Sequence, residues 1–334
     1  MALLAVPSAH ASALFGALDI FSTAGVRLGG GGMDGAPGLE TVIVAAGRKP
    51  VTGWHGVLIH PAAAVHEADN FDAVFVPSLG EPTGDMPPHD DSVLEWLRQQ
   101  YAAGAVIAAA CSGVAVPAAA GLLEGQVATS HWAYAGELRR RYPGIRVQPE
   151  RALVPSGEGH RLVTAGGGSL WTELVLYLIA RLLGQEAAVA SSKLYLVDWS
   201  RESQLPYACL EERLQHADAI VRAAQKFIGE HLTDCDVLAR SRETSGLAQR
   251  TFERRFRAAA GVTPLRYLQQ LRVEYAKELL ERTDRPAEDI ADAVGYSDPA
   301  SFRRLFLRLV GVTPAQYRRR FGGDFSLRAA QPSR

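Results

Sequence analysis

Short apolar runs rich in β-branched residues alternate with segments of helical period through the first half of the chain. The runs at 2–6, 41–45, 57–59, 73–77, 105–109, 152–155 and 161–164 predict buried strands, and the periods over 91–102, 113–120, 133–141 and 169–183 predict helices. Parallel strands need crossover connections and helices supply them, so this alternation implies an α/β domain, a mostly parallel sheet with helices on both faces, over 1–188. A connector over 189–216 carries Pro206 and polar residues without a clear period. From Asp218 the pattern is helical almost to the end, with helices expected over 218–232, 235–242, 249–260, 264–281, 286–294, 299–310 and 314–320. An all-α domain over 217–322 and a disordered tail over 323–334 complete the expectation.

The helical part contains an internal repeat. Phe252 to Tyr267 can be laid without gaps on Phe302 to Tyr317, and Phe, Arg, Phe, Gly, Val, Thr, Pro and Tyr coincide at eight of sixteen positions. Two copies are too few for a stacked array, so each is read as one small helix pair. Each pair has the physics of a helix-turn-helix. In the second, Ile290, Ala291 and Val294 face inward, Gly295 supplies the positive φ of the turn, Asp298 caps, and Pro299 suits the first helical turn. Phe302 and Phe306 anchor the next helix at i, i+4 and leave Ser301, Arg303, Arg304 and Arg308 for its other faces. In the first pair Leu238 and Ala239 take the inner role, Gly246 the turn, and Phe252 and Phe256 the anchors, leaving Gln249, Arg250, Glu253 and Arg254. Arg is shaped to read guanine edges in the major groove, and Gln and Glu also contact base edges. The bland alternative for any one of these side chains is a solvated helix face. Leu265, Leu268, Leu271, Tyr275 and Leu279 form one stripe along the joining helix. At 1.5 Å per residue that helix spans ~27 Å, and with its loops it can hold two reading helices about one duplex turn, ~34 Å, apart.

Composition fits this division. The 334 residues are about twice the ~150 of a typical domain, and 47% hydrophobic with 21% charged is a folded composition, not a disordered one. A net charge of −1 hides an asymmetry: 14 basic against 21 acidic residues over 1–215 give −7, and 21 against 15 over 216–334 give +6. The basic surplus lies in the helical part, a hint of polyanion binding that fits double-stranded DNA as the partner of the helix-turn-helix pairs, although a solvated basic surface without a partner is the commoner cause of such a surplus. The N-terminus lacks the basic and apolar regions of a signal peptide. The uncharged run 101–123 is long enough for a bilayer, but it is Ala/Gly-rich and broken by Cys111, Ser112 and Pro117, so it reads as a buried strand–turn–helix and no membrane is expected. Three scattered cysteines, Cys111, Cys209 and Cys235, fit a cytoplasmic protein without a disulfide framework. The histidines, His55, His60 and His66 included, lack metal-ligand spacing, and the glycines at 29–32 lack phosphate-loop spacing, so no metal or cofactor is expected.

Residues 217–321 resemble the DNA-binding domain of the AraC/XylS family of transcription regulators. Ile290-Ala-Asp-Ala-Val-Gly-Tyr-Ser-Asp-Pro-Ala-Ser-Phe302 and Gly311-Val-Thr-Pro-Ala-Gln-Tyr-Arg318 match that family's signature. The resemblance places the base-reading positions at Arg250, Glu253 and Arg254 in the first unit and at Ala300, Arg303 and Arg304 in the second, with Gln249 and Ser301 beside them. Ala300 departs from the longer polar residue often found there, and the stretch from Ser241 to Gly246 departs from the usual apolar pattern.

In the first domain, Ala105-Val-Ile-Ala-Ala-Ala-Cys111-Ser-Gly113 reads as a strand, a sharp turn and a helix N-terminus. Backbone amides and the helix dipole there are expected to lower the Cys111 pKa and expose the thiol, with His131 placed to orient it or take its proton; the other readings of Cys111 are a redox-sensitive pocket thiol and an inert buried cysteine. The stretch from Cys111 to Trp132 is similar to the class I glutamine amidotransferase-like (DJ-1/PfpI) domains that precede AraC-type domains in a known group of regulators. The resemblance covers 1–188 and implies an acidic partner for the cysteine at Asp19 and a homodimer formed through this domain. Pro77-Ser-Leu-Gly80 lacks the paired glycines that help build an oxyanion site in active relatives. The expected protein is therefore a transcription regulator whose first domain binds a small-molecule effector at Cys111, Ser112 and His131 without turnover. The alternatives are a cysteine-dependent hydrolase or glyoxalase-like enzyme using Cys111 and His131, and a DNA binder without site preference.

Overall fold

Runs with no polar position, Ala73-Val-Phe-Val76 and Val106-Ile-Ala-Ala-Ala110, are buried on both faces and form the middle of a parallel sheet. The computed structural model describes residues 1–29, 32–34, 38–80, 90–199, 201, 203–209 and 216–323, which divide into two units, Met1–Gln204 and Leu205–Arg334. In the first unit the strands β1 (Ala2–Leu4), β2 (Val42–Ala45), β3 (Ala63–Ala64), β4 (Ala73–Val76), β5 (Val106–Ala110), β6 (Leu153–Ser156) and β7 (Leu162–Ala165) lie in the order β6-β7-β5-β4-β1-β2-β3. Neighbours are parallel except β6, an edge strand antiparallel to β7. The winding reverses between β1 and β4, and the carboxyl ends of strands at such a switch are where open α/β sheets place their sites. Helices α1 (Ala11–Ser22), α2 (Asp91–Ala102), α3 (Ala115–Ala119), α4 (Ala135–Arg141), α5 (Trp171–Leu183) and α6 (Gln185–Tyr195) complete the expected α/β domain.

Two helices had no clear sequence signal. Helix α1 buries Ala13, Leu14, Ala17, Ile20 and Phe21, a true helical period that is masked because its outer face is also apolar. Helix α6 follows Gly184, whose φ of +90° breaks the chain between α5 and α6, and it buries only Ala188 and Ser191, too weak a stripe to read. The unit consequently runs past the expected limit at 188 to Gln204, whose buried side chain donates to the Ser130 carbonyl at 2.7 Å and accepts from the Gly167 amide at 3.2 Å. The run at 57–59 is a correction of another kind. Leu58–Ile59 pairs with Val51–Thr52 in a separate two-stranded ribbon, and the main sheet takes β3 in its place. Of the expected glycine loop, Gly29 and Gly32 end the arms of an antiparallel pair, Arg27–Gly29 with Gly32–Asp34, and Gly30 and Gly31 lie outside the described residues.

The second unit is helical: α7 (Ala219–Glu230), α8 (Val237–Ser245), α9 (Gln249–Ala260), α10 (Pro264–Arg282), α11 (Ala287–Ala293), α12 (Pro299–Val310) and α13 (Pro314–Phe321). It has two small cores. Val221, Ile228, Val237, Phe252, Phe256, Tyr267 and Leu268 build one, and Val273, Ala276, Leu280, Ile290, Val294, Phe302, Phe306 and Tyr317 build the other. Helix α10 serves both, so the expected single stripe does not hold: Leu265 and Tyr275 are exposed, while Tyr267, Val273 and Ala276 are buried. In α8, which starts two residues later than the sequence pattern indicated, the inner residues are Val237 and Ser241, one turn apart, and Ala239 between them is exposed. No helix among the described residues is long and apolar enough to cross a membrane. The expected tail lies outside the described residues beyond Gly323, as do connector residues 210–215.

Candidate functional site

The repeat is a repeat of geometry. The rings of Phe252 and Phe256 stand 5.8 Å apart and those of Phe302 and Phe306 5.7 Å; Phe256 meets Tyr267 edge-on at 5.6 Å and Phe306 meets Tyr317 at 5.7 Å. Gly246 closes α8 with φ +67°, and Gly261 and Gly311 close α9 and α12 with φ +73° and +80°. Thr263 and Thr313 then cap the following helices, which both begin with Pro. Each anchoring Phe pair fixes one face of its helix, and the opposite face carries the polar set.

On α9, Gln249, Arg250, Glu253 and Arg254 are all exposed. Gln249 Nε2 donates to Glu253 Oε1 at 3.1 Å, while Arg250 and Arg254 have no partner among the described residues. On α12, Ala300, Arg303 and Arg304 are exposed. Arg303 pairs with Glu288 of α11, and Arg304 Nη2 donates to Ser301 Oγ at 2.8 Å. Ser301 itself is half-buried and its hydroxyl donates to Asp298 Oδ2 at 2.5 Å, so it is part of the cap of α12. The Asp298 carboxylate also accepts from the Ala300 and Ser301 amides at 3.0 Å, and these bonds hold its pKa below the usual carboxylate range. By contrast α9 follows Ala248, which offers no side-chain acceptor, so its first amides have no side-chain cap.

A buried cation, absent from the sequence expectation, ties the two halves of this unit. Arg272 of α10 is 8% exposed and donates to the carbonyls of Leu232 at 2.7 Å, Asp234 at 3.1 Å and Gly295 at 3.0 Å, with its guanidinium over the Tyr296 ring. A Cβ at Gly295 would fall 2.7 Å from that guanidinium and 2.8 Å from the Thr233 carbonyl, so glycine is required there for space as well as for its φ of +85°. The signal available in the sequence was a lone Arg within a buried helical period.

In the first unit β5 ends at Cys111, whose φ of +56° makes the sharp turn into a single 3₁₀ turn and then α3. The Cys111 amide donates to the Gly166 carbonyl at 3.1 Å, and Ser130 Oγ donates to the Cys111 carbonyl at 2.7 Å. A Cβ at Gly113 would sit 2.1 Å from the Pro77 carbonyl, so the turn closes directly on the loop after β4. The elbow exists, but the expected exposed, acidified thiol does not. Cys111 is 6% exposed, and burial pushes its thiol up more strongly than hydrogen bonds from Ser112, Ser78 and the Gly168 amide pull it down. The five-residue α3 behind it supplies little dipole.

Ser112 Oγ donates to the Leu79 carbonyl at 2.6 Å and accepts from the Leu79 amide at 2.7 Å. The Gly80 amide donates to Ser8 O at 2.8 Å, so both amides at the end of the Pro77–Gly80 loop are committed. The His131 ring lies against Gly167, where a Cβ would fall 1.7 Å from its Cδ2, and its Nδ1 accepts from the Ala133 amide at 3.1 Å. The neutral ring therefore carries its proton on Nε2, and burial holds its pKa down. Among the described residues no hydrogen bond joins His131 to Cys111; the Gly167–Gly168 backbone touches both, Gly167 the ring and Gly168 the thiol. Asp19 is exposed on α1 and is not among the groups acting on the thiol. Cys209 and Cys235 are exposed and free, and no group of three or more His, Cys, Asp or Glu among the described residues is arranged to hold a metal ion.

A duplicated helix-turn-helix beside an α/β unit with a cysteine elbow defines a DNA-binding transcription regulator. A helix-turn-helix domain family matches residues 243–320, and the DJ-1/PfpI family matches residues 18–180. The chain is 30% identical over 290 residues to the HTH-type transcriptional regulator GlxA of Rhizobium meliloti, covering 86% of this chain and 87% of that protein. It is 28% identical over 286 residues to the HTH-type transcriptional regulator CdhR of Pseudomonas aeruginosa, covering 83% and 80%. The crystal structure of Drosophila melanogaster DJ-1beta aligns with a TM-score of 0.49 at 23% identity, covering 59% of this chain and 97% of that one. The chain belongs to the AraC-type helix-turn-helix transcriptional regulators whose N-terminal part is a DJ-1/PfpI domain.

Proposed function

We propose that this regulator reads two adjacent stretches of a promoter with α9 and α12, and that its first unit makes DNA occupancy depend on a small-molecule effector without turning it over. Arg250, Glu253 and Arg254 read one stretch and Arg303 and Arg304 the other, with Ala300 contributing contact and no polar readout. The carrying observation is the duplicated Phe–Phe–Tyr frame, which turns the same exposed face of both helices outward while their side chains differ. The uncapped amides of α9 add donors for phosphate. Absence of turnover is supported by the buried, protonated Cys111 and by the Leu79 and Gly80 amides, whose bonds to Ser112 and Ser8 leave them unable to cradle an oxyanion.

Mapping the chromosomal sites occupied by the full-length protein, then measuring affinity for one site against random duplex, tests the reading. A specific site bound at least ~10³-fold tighter, with occupancy altered by an extract of cell metabolites, is expected. Equal affinity for random duplex would leave a non-specific binder, and an occupancy indifferent to every extract would remove the effector.

A further inference from the structure

Away from the elbow, α5, Arg151, Leu153 of β6, Trp199 and Arg201 line an open cleft of about 790 Å³, within the size range of small-ligand sites. Its charged wall is built, not incidental. Glu173 is 7% exposed, and its carboxylate accepts from Arg201 Nε at 2.6 Å, while Arg201 Nη1 donates to Ser169 Oγ at 2.8 Å. Arg181 is fixed by bonds to the Gly159 and His160 carbonyls at 2.8 and 3.0 Å. Arg151 brings a third guanidinium, which has no partner among the described residues. Glu173, Tyr177 and Arg181 recur every four residues on one face of α5, so the Tyr177 ring lies in the row between the charges. Trp199 adds a second aromatic surface. Among the described residues, Arg151, Arg181 and Arg201 outnumber Glu173 and Asp198, so the cleft keeps a positive surplus beside two aromatic faces.

We propose that this cleft, and not the elbow, binds the effector, and that the effector is a small organic anion with a flat apolar body. The proposal rests on the effector reading above. Arg151 and Arg181 meet the anionic group: Arg181 is already fixed by its carbonyl bonds and so costs little ordering, and Arg151 brings an uncommitted guanidinium fork. Tyr177 and Trp199 cover the apolar body. The elbow offers less: its thiol is buried and its Ser112 hydroxyl is bonded to Leu79 in both directions. Two of the cleft's residues, Trp199 and Arg201, lie on the last stretch of the first unit.

Titration of full-length protein with benzoate, followed by calorimetry and tryptophan fluorescence, tests this, with acetate and benzyl alcohol as the charge-only and ring-only probes. Benzoate is expected to bind at least about tenfold tighter than either. Arg151→Gln and Trp199→Leu are each expected to weaken it about fivefold or more with unchanged circular dichroism, and Cys111→Ser to leave it unchanged. Failure of benzoate to bind at about 10 mM, or binding lost in Cys111→Ser and kept in Arg151→Gln, overturns the assignment. In either case a promoter occupancy that still answers to metabolite extract keeps the effector reading and discards only the cleft.

Discussion

Arg272 Nη1 donates to the Gly295 carbonyl at 3.0 Å, so a side chain of the helix joining the two DNA-binding halves closes on the turn of the second half. The same guanidinium holds the carbonyls of Leu232 and Asp234 in the turn between α7 and α8 of the first half. Arg272→Ala strands three carbonyls in the interior and is expected to cost about 3 kcal/mol or more of stability in the DNA-binding unit, read from chemical denaturation. Arg272→Lys keeps a charge but not the fork, and is expected to keep the fold while weakening specific DNA binding more than non-specific binding. Equal loss for both duplexes would show that Arg272 does not set the spacing of the reading helices.

Arg304→Ala is expected to weaken specific binding by roughly 1–3 kcal/mol and to relax preference at one base pair, while Ser301→Ala acts through the cap of α12 and lowers stability by about 1 kcal/mol. Selection from a randomised duplex pool, beside thermal denaturation, separates the two effects.

The missing cap of α9 is a second place where stability can be read. Ala248 has φ −63° and ψ 146°, extended backbone that Asp or Ser adopts freely. Ala248→Ser is expected to stabilise the unit by about 0.5–1 kcal/mol. If the uncapped amides meet phosphate, Ala248→Asp stabilises the free protein likewise but weakens binding to every duplex, specific or not.

Thiol chemistry has a simple order. Cys209 and Cys235 are exposed, and Cys111 is buried with its thiol held above the ordinary range. Iodoacetamide is expected to label the first two at about pH 7.5 and to reach Cys111 only at higher pH or on unfolding. Fast Cys111 labelling at neutral pH, followed by peptide mass spectrometry, would return the elbow to the list of reactive nucleophiles.

Burial holds His131 below the usual imidazole value, so the unfolded chain takes up the proton more readily than the folded one. The stabilisation from the neutral ring is complete above about pH 6.5 and is lost as pH falls from there toward the folded-state value. Denaturant midpoints between about pH 7.5 and pH 5.5 should fall more steeply for the wild type than for His131→Asn, whose amide can still accept the Ala133 bond.

Periodicity made the second unit legible in the sequence because its anchors recur at i, i+4, because α10, α12 and α13 begin with Pro behind a capping Thr or Asp, and because α8, α9 and α12 close on Gly. Helices 249–260 and 299–310 have the expected bounds for this reason. Uniform composition hid α1, where Phe15 is apolar yet faces outward, and α6, where Ala and Ser give almost no contrast. At the site, exposure of Arg250, Arg254 and Arg304 followed from the Phe positions, since one buried face fixes the other. The sign of the Cys111 shift did not follow: a turn motif reveals the nearby amides, whereas the burial that outweighs them belongs to the folded unit, in which backbone as distant in the chain as Pro77 and Gly166 closes on the elbow. Arg272 and the arginine cleft stayed hidden for the same reason, being assembled from separate elements.

The twin Phe–Phe–Tyr frames carry unlike outer faces on one polypeptide, Arg250-Glu253-Arg254 on the first and Ala300-Arg303-Arg304 on the second. With both faces seated on bases as proposed, a single copy has a head and a tail along the duplex, and a palindrome satisfies only half of it. Reversing the operator should point the molecule the other way, so its seating carries the direction of the gene as well as its address.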